Sequence, residues 1–455
     1  METFDVIVLG AGSAGVSAAL RASDQGAQVC IIEQEKIGGS CIHKGLYPLK
    51  LGLGLLRNNE SNFNVNGRID SEKLFHKITG SMQLLSELWE QRLTEAGVTI
   101  KIGSGLPLSS GLVQVISNDK TFDIATKKII IATGSSPGSS PTLPFEGDII
   151  VPRDDVFKNH SIPNRVFIVG VGSYGCELAS FYQMLGSKVF LSSRHARLFP
   201  DQDPEILNNL ERSLKSLKVK LLLGKEISSY FKNNELLDIT LAEGIKFQTE
   251  KIILNLDRQG NSENLECDTL GVRVGDNKEI LVNDKLETSV PDIFAVGSIT
   301  GRRSRSGISE EEGKIAADNA IGKNKSINYD WIPFTFFTKP EIASVGCFAE
   351  QAHYKGFRGV EGCAKSKNLD FSFLGDIKEG FFKIVADARS GVVIGGQFVS
   401  PNASQLISLV VLAIKKGMKV GALVSLANGK SEEIEGIREA ARLCTKAIKK
   451  QRKTM

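Results

Sequence analysis

Two glycine-rich turns carry the first chemical signal in this sequence. Gly10-x-Gly12-x-x-Gly15 and Gly170-x-Gly172-x-x-Gly175 each follow a short apolar run. Such a turn lets backbone amides approach a pyrophosphate, whose charge the following helix N-terminus stabilises. Glu33 stands 18 residues past Gly15 (33 − 15), where a carboxylate can accept hydrogen bonds from ribose hydroxyls. The equivalent position after Gly175 is Ser193, followed by Arg194, His195 and Arg197. A glutamate there would repel a ribose 2′-phosphate, whereas arginine and histidine attract one.

These residues need elements to hold them, and the chain supplies the same set twice. Phe4 to Glu35 and Val166 to His195 both read as strand, glycine turn, helix, strand. Each helix ends near a glycine, Gly26 and Gly186. One fingerprint is a weak signal, but two in full βαβ context point to two dinucleotide-binding α/β units. Ile78 to Leu93 has helical periodicity, and Lys128 to Pro137 reads as a strand running into a glycine turn. Gln405 to Gly417 has an apolar helical face suited to burial between subunits.

Composition narrows the class. The 455 residues suit two or three domains, and 41% apolar with 24% charged is ordinary for a globular chain. A net charge of +4 gives no argument for nucleic acid. The basic run Lys449, Lys450, Arg452, Lys453 reads as a solvated tail. The first residues enter a strand at once, so no signal peptide is expected. No apolar run approaches the roughly 20 residues of a membrane span. Seven cysteines, none in a C-x-x-C pair, argue against a disulfide framework or a metal site. The expected setting is a reducing cytoplasm.

Residues 38–50, GGSCIHKGLYPLK, resemble a known motif of the form GG-[ST]-C-x4-C-x-P-x-K. It belongs to the flavin-dependent pyridine nucleotide–disulfide oxidoreductases, the family of dihydrolipoamide dehydrogenase, glutathione reductase and mercuric reductase. Gly38, Gly39, Ser40, Cys41, Pro48 and Lys50 match. The ATG at 132–134, Leu286 to Gly301 and Phe337 to Gly346 resemble further family segments, so the likeness covers nearly the whole chain. It implies an α/β fold with two Rossmann-like nucleotide-binding domains, for FAD and NAD(P), plus a C-terminal α+β dimerisation domain. The expected boundaries are 1–146 and 266–330 for the FAD-binding segments, 147–265 for NAD(P) and 331–455 for dimerisation.

The resemblance implies FAD at the first fingerprint, on Gly10, Gly12, Ser13, Ala14, Gly15 and Glu33. Gly39, Ser40, Gly105, Thr133, Gly134, Gly297, Ser298 and Ser306 complete that site. Lys50 matches the lysine beside the flavin N5, and Glu177 the glutamate that pairs with it. The second fingerprint then takes a nicotinamide cofactor, on Gly170, Gly172, Ser173, Tyr174 and Glu177. Ser193, Arg194, His195 and Arg197 favour NADPH over NADH there, and the SSRHAR segment is similar to the glutathione reductase version. A homodimer is implied, whose partner supplies the catalytic carboxylate Glu433.

Four departures matter. Leu46 stands where the flavin-side redox cysteine should be. Asn428 stands where the partner's catalytic histidine should be, and the last histidine in the chain is His353. An amide does not titrate and is no general base. Ser298 replaces an aspartate that binds the ribitol, and Ser173 replaces a gating tyrosine. Arg302, Arg303 and Arg305 form either an exposed basic loop or an anion site at the flavin mouth. Cys41, followed by His43 and Lys44, is either an activated thiolate or a relic thiol. Three readings stand. The first is an FAD enzyme passing hydride from NADPH to a non-dithiol acceptor: quinone, oxygen, metal ion or protein. The second is a single-cysteine reductase of peroxides or mixed disulfides through Cys41. The third is a non-catalytic flavoprotein scaffold.

Overall fold

Runs such as DVIVL and KKIII are rich in β-branched residues, which suit strands buried on both faces. In the computed structural model they form the centre of a sheet. The structure describes residues 1–58, 60–65, 68–117, 120–199, 202–302, 306–370, 380–426 and 431–453. By compactness the chain forms two units. The first holds Met1–Gly170, Met184–Lys188 and Glu226–Ile327, and the second Val171–Gln183, Val189–Lys225 and Asn328–Met455.

The first unit is built on a seven-stranded sheet. Thr3–Leu9 lies between Val29–Glu33 and Lys120–Ile131, parallel to both, with Val6 opposite Val29 and Lys128. Ile293–Ala295 adds a parallel strand beside Ile129 to Ile131. Val6, Ile7 and Val8 are fully buried because both sheet faces are covered. On one face lie the helices Ser13–Asp24 and Ser306–Ala320. Gly313 lets them touch: a Cβ there would sit 2.2 Å from the Ala14 carbonyl oxygen. The helix expected over 78–93 runs over Ser71–Glu95. It starts earlier because Asp70 Oδ1 caps it, accepting the Lys73 N–H at 3.0 Å. A further parallel set, Ile150–Pro152, Lys251–Leu254 and Arg165–Val169, carries the second fingerprint's first strand.

In the second unit the helix Ser173–Met184 precedes the parallel pair Lys188–Ser193 and Lys220–Leu223. A five-stranded antiparallel sheet follows, from Phe334–Phe336 to Gly359–Lys365. The apolar helix Ala403–Lys415 does two things at once. Ile407, Val410 and Ala413 pack into the unit's own core, while Leu409 and Leu412 face outward. Leu409 and Leu412 are the large apolar side chains this helix exposes for the subunit contact that the sequence suggested. Among the described residues no helix is long and apolar enough to cross a membrane.

One polar lock fixes the helix pair behind the first fingerprint. Asp318 is 2% exposed, and Arg21 grips it with Nε at 2.8 Å and Nη2 at 3.2 Å. Lys323 and Lys325 also donate to it. Burial alone would raise its pKa, but hydrogen bonds from Arg21, Lys325 and Lys323 outweigh that and lower it from 3.8 to about 2. A depressed carboxylate pKa contributes stability above the unfolded value, lost as pH falls through about 2. Asp318→Asn should therefore lower stability at pH 7 by about 2 kcal/mol in urea unfolding. The gap to wild type should shrink by more than half at pH 2.5. A gap that does not change with pH would show that the lock is not ionic.

Candidate functional site

The strand Thr3–Leu9 delivers Gly10 at φ +100°. A Cβ there would lie 2.5 Å from the Ala132 carbonyl oxygen, so the close approach of the two strand ends requires glycine. Gly15 packs beneath, where a Cβ would lie 1.9 Å from the Gly10 oxygen. Gly12 differs, since a Cβ there meets nothing within 4 Å, and it borders a cavity of about 600 Å³. The turn therefore presents bare backbone to open space, as a pyrophosphate needs.

Of the residues expected to bind FAD, Gly10, Gly12, Ser13, Ala14 and Glu33 line this cavity. So do Gly39, Ser40, Gly105, Thr133, Gly134, Gly297 and Ser298. Glu33 is 8% exposed and held by backbone donors, Ala11 N–H to Oε2 at 2.6 Å and Glu35 N–H to Oε1 at 2.9 Å. Each oxygen keeps a lone pair for a hydroxyl. The Thr133–Gly134 turn is closed by Asn261, whose N–H donates to the Gly134 oxygen at 3.0 Å and whose Nδ2 donates to the Thr133 oxygen at 2.9 Å. Gly297 donates its N–H to the buried Glu312 Oε2 at 2.7 Å. Asn261 and Glu312 escaped sequence reading because their partners lie far off or on another element. The cavity lining fits FAD: bare amides for the pyrophosphate, a fixed carboxylate for a ribose and a serine at the ribitol position.

Cys41 lines the same cavity and is partly exposed on the short helix Gly39–His43. The two residues expected to activate it have local partners. His43 Nε2 lies 2.9 Å from the Ile37 oxygen, and Lys44 pairs with Glu35 at 3.0 Å. Burial pushes the thiols of Cys30, Cys363 and Cys444 up to about 12 and raises those of Cys176, Cys267 and Cys347. Those six are therefore not nucleophiles near neutral pH. Leu46 opens the helix Leu46–Asn58, on which Lys50 is exposed.

At the second fingerprint Gly170 takes φ +105°, and a Cβ would sit 2.2 Å from the Asn255 carbonyl oxygen. The contact repeats that of Gly10. In the second unit Tyr174 and Glu177 are buried on the helix Ser173–Met184, and Glu177 Oε1 accepts the Phe337 N–H at 3.0 Å. Ser193 is buried, and its Oγ accepts the His195 N–H at 3.0 Å. Arg194 Nε lies 3.4 Å from His195 Nε2, and Arg194, His195 and Arg197 are all exposed. The basic turn is thus fixed at its root and open at its charged ends. Glu433 takes a hydrogen bond from Asn402 Nδ2 at 2.9 Å. Burial works against its charge, but bonds from its own amide, Asn402 and Ser431 win and lower its pKa. Asn428, Arg303 and Arg305 lie outside the described residues, as does the Ser306 side chain. Arg302 donates to the Val282 oxygen at 2.6 Å. No metal-binding cluster occurs among the described residues.

Known proteins share this arrangement. The family of pyridine nucleotide-disulphide oxidoreductases matches residues 4–320, and that family's dimerisation domain matches residues 332–427. A dihydrolipoyl dehydrogenase of Chlamydia muridarum is 28% identical, over 91% of this chain and 91% of its own. A mercuric reductase of Lysinibacillus sphaericus is 29% identical, over 97% of this chain and 82% of its own. The crystal structure of LpdA from Mycobacterium tuberculosis has the same fold, with a TM-score of 0.89 at 24% identity, covering 97% of this chain and 99% of that one. The flavoprotein disulfide reductase RclA of Escherichia coli, as its Cu(II) complex, gives 0.86 at 20%, covering 97% and 100%. With its two glycine turns, its nucleotide cavity and its C-terminal dimerisation domain, the chain belongs to the pyridine nucleotide-disulphide oxidoreductases and is an FAD-dependent NAD(P)H oxidoreductase.

Proposed function

We propose that this enzyme takes hydride from NADPH and passes the electrons from flavin to an acceptor that is not a dithiol. The observation that carries the reading is the segment from Cys41 to Leu46. Cys41 borders the cavity, but the next position of the redox pair is a hydrocarbon that cannot accept electrons. FAD, when bound, supplies a two-electron acceptor for the nicotinamide hydride. Gly12 and its helix receive the pyrophosphate, Glu33 the adenosine ribose and Ser298 the ribitol. Lys50 serves the flavin ring. Ser193, Arg194, His195 and Arg197 receive the 2′-phosphate. Without a titratable group at Asn428, Glu433 orients nothing that moves a proton to a dithiol. The acceptor is then a quinone, oxygen, a metal ion or a protein that needs no such base. In this reading residues 1–146 and 266–330 bind FAD, 147–265 bind NADPH and 331–455 dimerise.

A second reading keeps Cys41 as a single redox thiol, favoured by its place on the cavity wall. Adding NADPH without oxygen separates the two. The flavin absorbance should bleach without the long-wavelength band that a thiolate beside the ring produces, and Cys41→Ser should bleach at an unchanged rate. Dihydrolipoamide turnover should be negligible against an ordinary enzyme's roughly 10 per second, because two members of that mechanism are missing. A thiolate band, or loss of acceptor reduction in Cys41→Ser, would transfer the function to the thiol.

Cofactor choice is tested at the basic turn. A charge-assisted contact is worth about 1.5–3 kcal/mol, or roughly ten- to a hundredfold in affinity. Arg194→Ala should weaken NADPH by about that factor and leave NADH nearly unchanged in flavin-reduction titrations. Equal losses for both nucleotides would return the turn to solvated surface.

The dimerisation domain predicts a two-fold homodimer whose contact includes Leu409 and Leu412. Leu412→Glu places a charge on that face and should give a monomer mass by light scattering at micromolar concentration, where wild type gives the dimer. A variant that stays dimeric would move the contact elsewhere.

A further inference from the structure

The repeat allows one more comparison between the two glycine turns. In each, the first glycine abuts the residue that follows the neighbouring parallel strand. For Gly10 that residue is Ala132, whose N–H donates to the Leu9 oxygen at 2.8 Å. For Gly170 it is Asn255, whose N–H donates to the Val169 oxygen at 2.8 Å. The backbones match, but the side chains do not. Alanine offers the turn nothing polar. Asn255 is 8% exposed, and its Nδ2 donates to the Gly170 carbonyl oxygen at 3.1 Å.

The amide is itself oriented. Arg153 Nη1 donates to Asn255 Oδ1 at 2.9 Å. A guanidinium has only donors, so the amide must turn its oxygen to Arg153 and its nitrogen to Gly170. Arg153 is in turn near Asp154, with Nε to Oδ1 at 3.6 Å. Arg258 holds Asp154 through both carboxylate oxygens, at 2.7 and 3.1 Å, and reaches Ser135 Oγ at 2.8 Å. The pin therefore has a rigid base.

A planar trans peptide sends its N–H opposite to its C=O. Fixing the Gly170 oxygen thus fixes the direction of the next amide, one of those the fingerprint offers to a pyrophosphate. Glycine at positive φ otherwise leaves this peptide free to rotate. We propose that Asn255, oriented by Arg153, is a positioning residue that pins the second glycine turn for the pyrophosphate of the nicotinamide dinucleotide. This rests on reading the second fingerprint as the nicotinamide site. It differs from the role of Arg194 because the pyrophosphate is common to both nucleotides.

The test is calorimetric binding of NADP⁺ and NAD⁺ to the FAD-loaded protein, beside flavin reduction by NADPH. Asn255→Ala should weaken both nucleotides alike, by about tenfold, the usual worth of an oriented hydrogen bond. The limiting rate of flavin reduction and the FAD content should stay at wild-type values, which a general loss of structure would not allow. Arg153→Ala frees the amide to flip and should give a smaller loss in the same direction. The double variant should be no worse than Asn255→Ala, since the two act in series. Affinities within twofold of wild type, loss confined to NADP⁺, or additive losses would each overturn the pin. If Asn255→Ala loses FAD or fails to fold, the Arg153→Ala comparison decides alone. A wild-type protein that binds NADP⁺ but is not reduced by NADPH would sink the proposed reaction and leave this test intact. A wild type that binds neither nucleotide would sink both.

Discussion

The structure depends on two strand ends that must approach closer than any side chain permits. At Gly10 and again at Gly170 the chain leaves a buried parallel strand at φ near +100°, with the neighbouring strand's carbonyl within about van der Waals reach. Alanine at either place would set a carbon 2.5 or 2.2 Å from a carbonyl oxygen. In the first unit that contact sets the direction in which the chain enters the helix Ser13–Asp24, whose N-terminal turn borders the cavity. Gly15 and Gly313 repeat the logic one layer down, letting the helix and then its neighbour settle close behind the turn. The acid lock at Asp318 keeps those two helices in place.

What could be read in the sequence follows from this locality. A glycine fingerprint, a carboxylate 18 residues on and a basic turn are short-range features, set by one supersecondary unit. Glu33, picked out by that spacing, lines the cavity. Asp154, Arg258 and Asn261 were not legible. Arg258 reaches Asp154 across 104 positions, and Asn261 closes a turn more than 120 positions away. No periodicity marks such partners, because each is chosen by the geometry of a neighbouring strand end. The Gln405 to Gly417 helix shows a different limit. Its apolar residues cover more than one face, and the sequence alone does not divide them between the subunit's own core and its outer surface. Ile407, Val410 and Ala413 took the first role.

The departures are more informative together than singly. Leu46 and Asn428 are far apart in the sequence and stand at positions that the family resemblance gives to different halves of one disulfide mechanism. Losing either would stop dithiol chemistry, so the other would then be under no chemical constraint. The nucleotide side shows no such decay. Gly10 and Gly15 keep their close backbone contacts, Gly12 borders the cavity with open space before it, and Glu33 has both of its backbone donors. Glu177 remains a buried carboxylate. The glycine edge on the cavity is what any flavin-binding chain needs, so it separates the two enzymatic readings and the flavoprotein scaffold from a chain that binds no dinucleotide. This pattern is what the proposed function rests on: a nucleotide side kept and a dithiol side changed.

The same argument bears on Cys41. A thiolate needs a nearby positive charge that is not already spent. Lys44 pairs with Glu35, and His43 Nε2 lies against the Ile37 oxygen, so both side chains have partners other than the thiol. The helix that carries Cys41 has only five residues, too short to develop a strong terminal dipole. Cys41 lies on the wall of the cavity with Gly39 and Ser40. Gly39 approaches the first fingerprint itself, since a Cβ there would stand 3.0 Å from Gly12 Cα. The segment thus keeps a structural duty that needs no sulfur chemistry: it closes the cavity against the glycine turn. That duty accounts for the glycine at Gly39 beside a redox pair that has lost its flavin-side member.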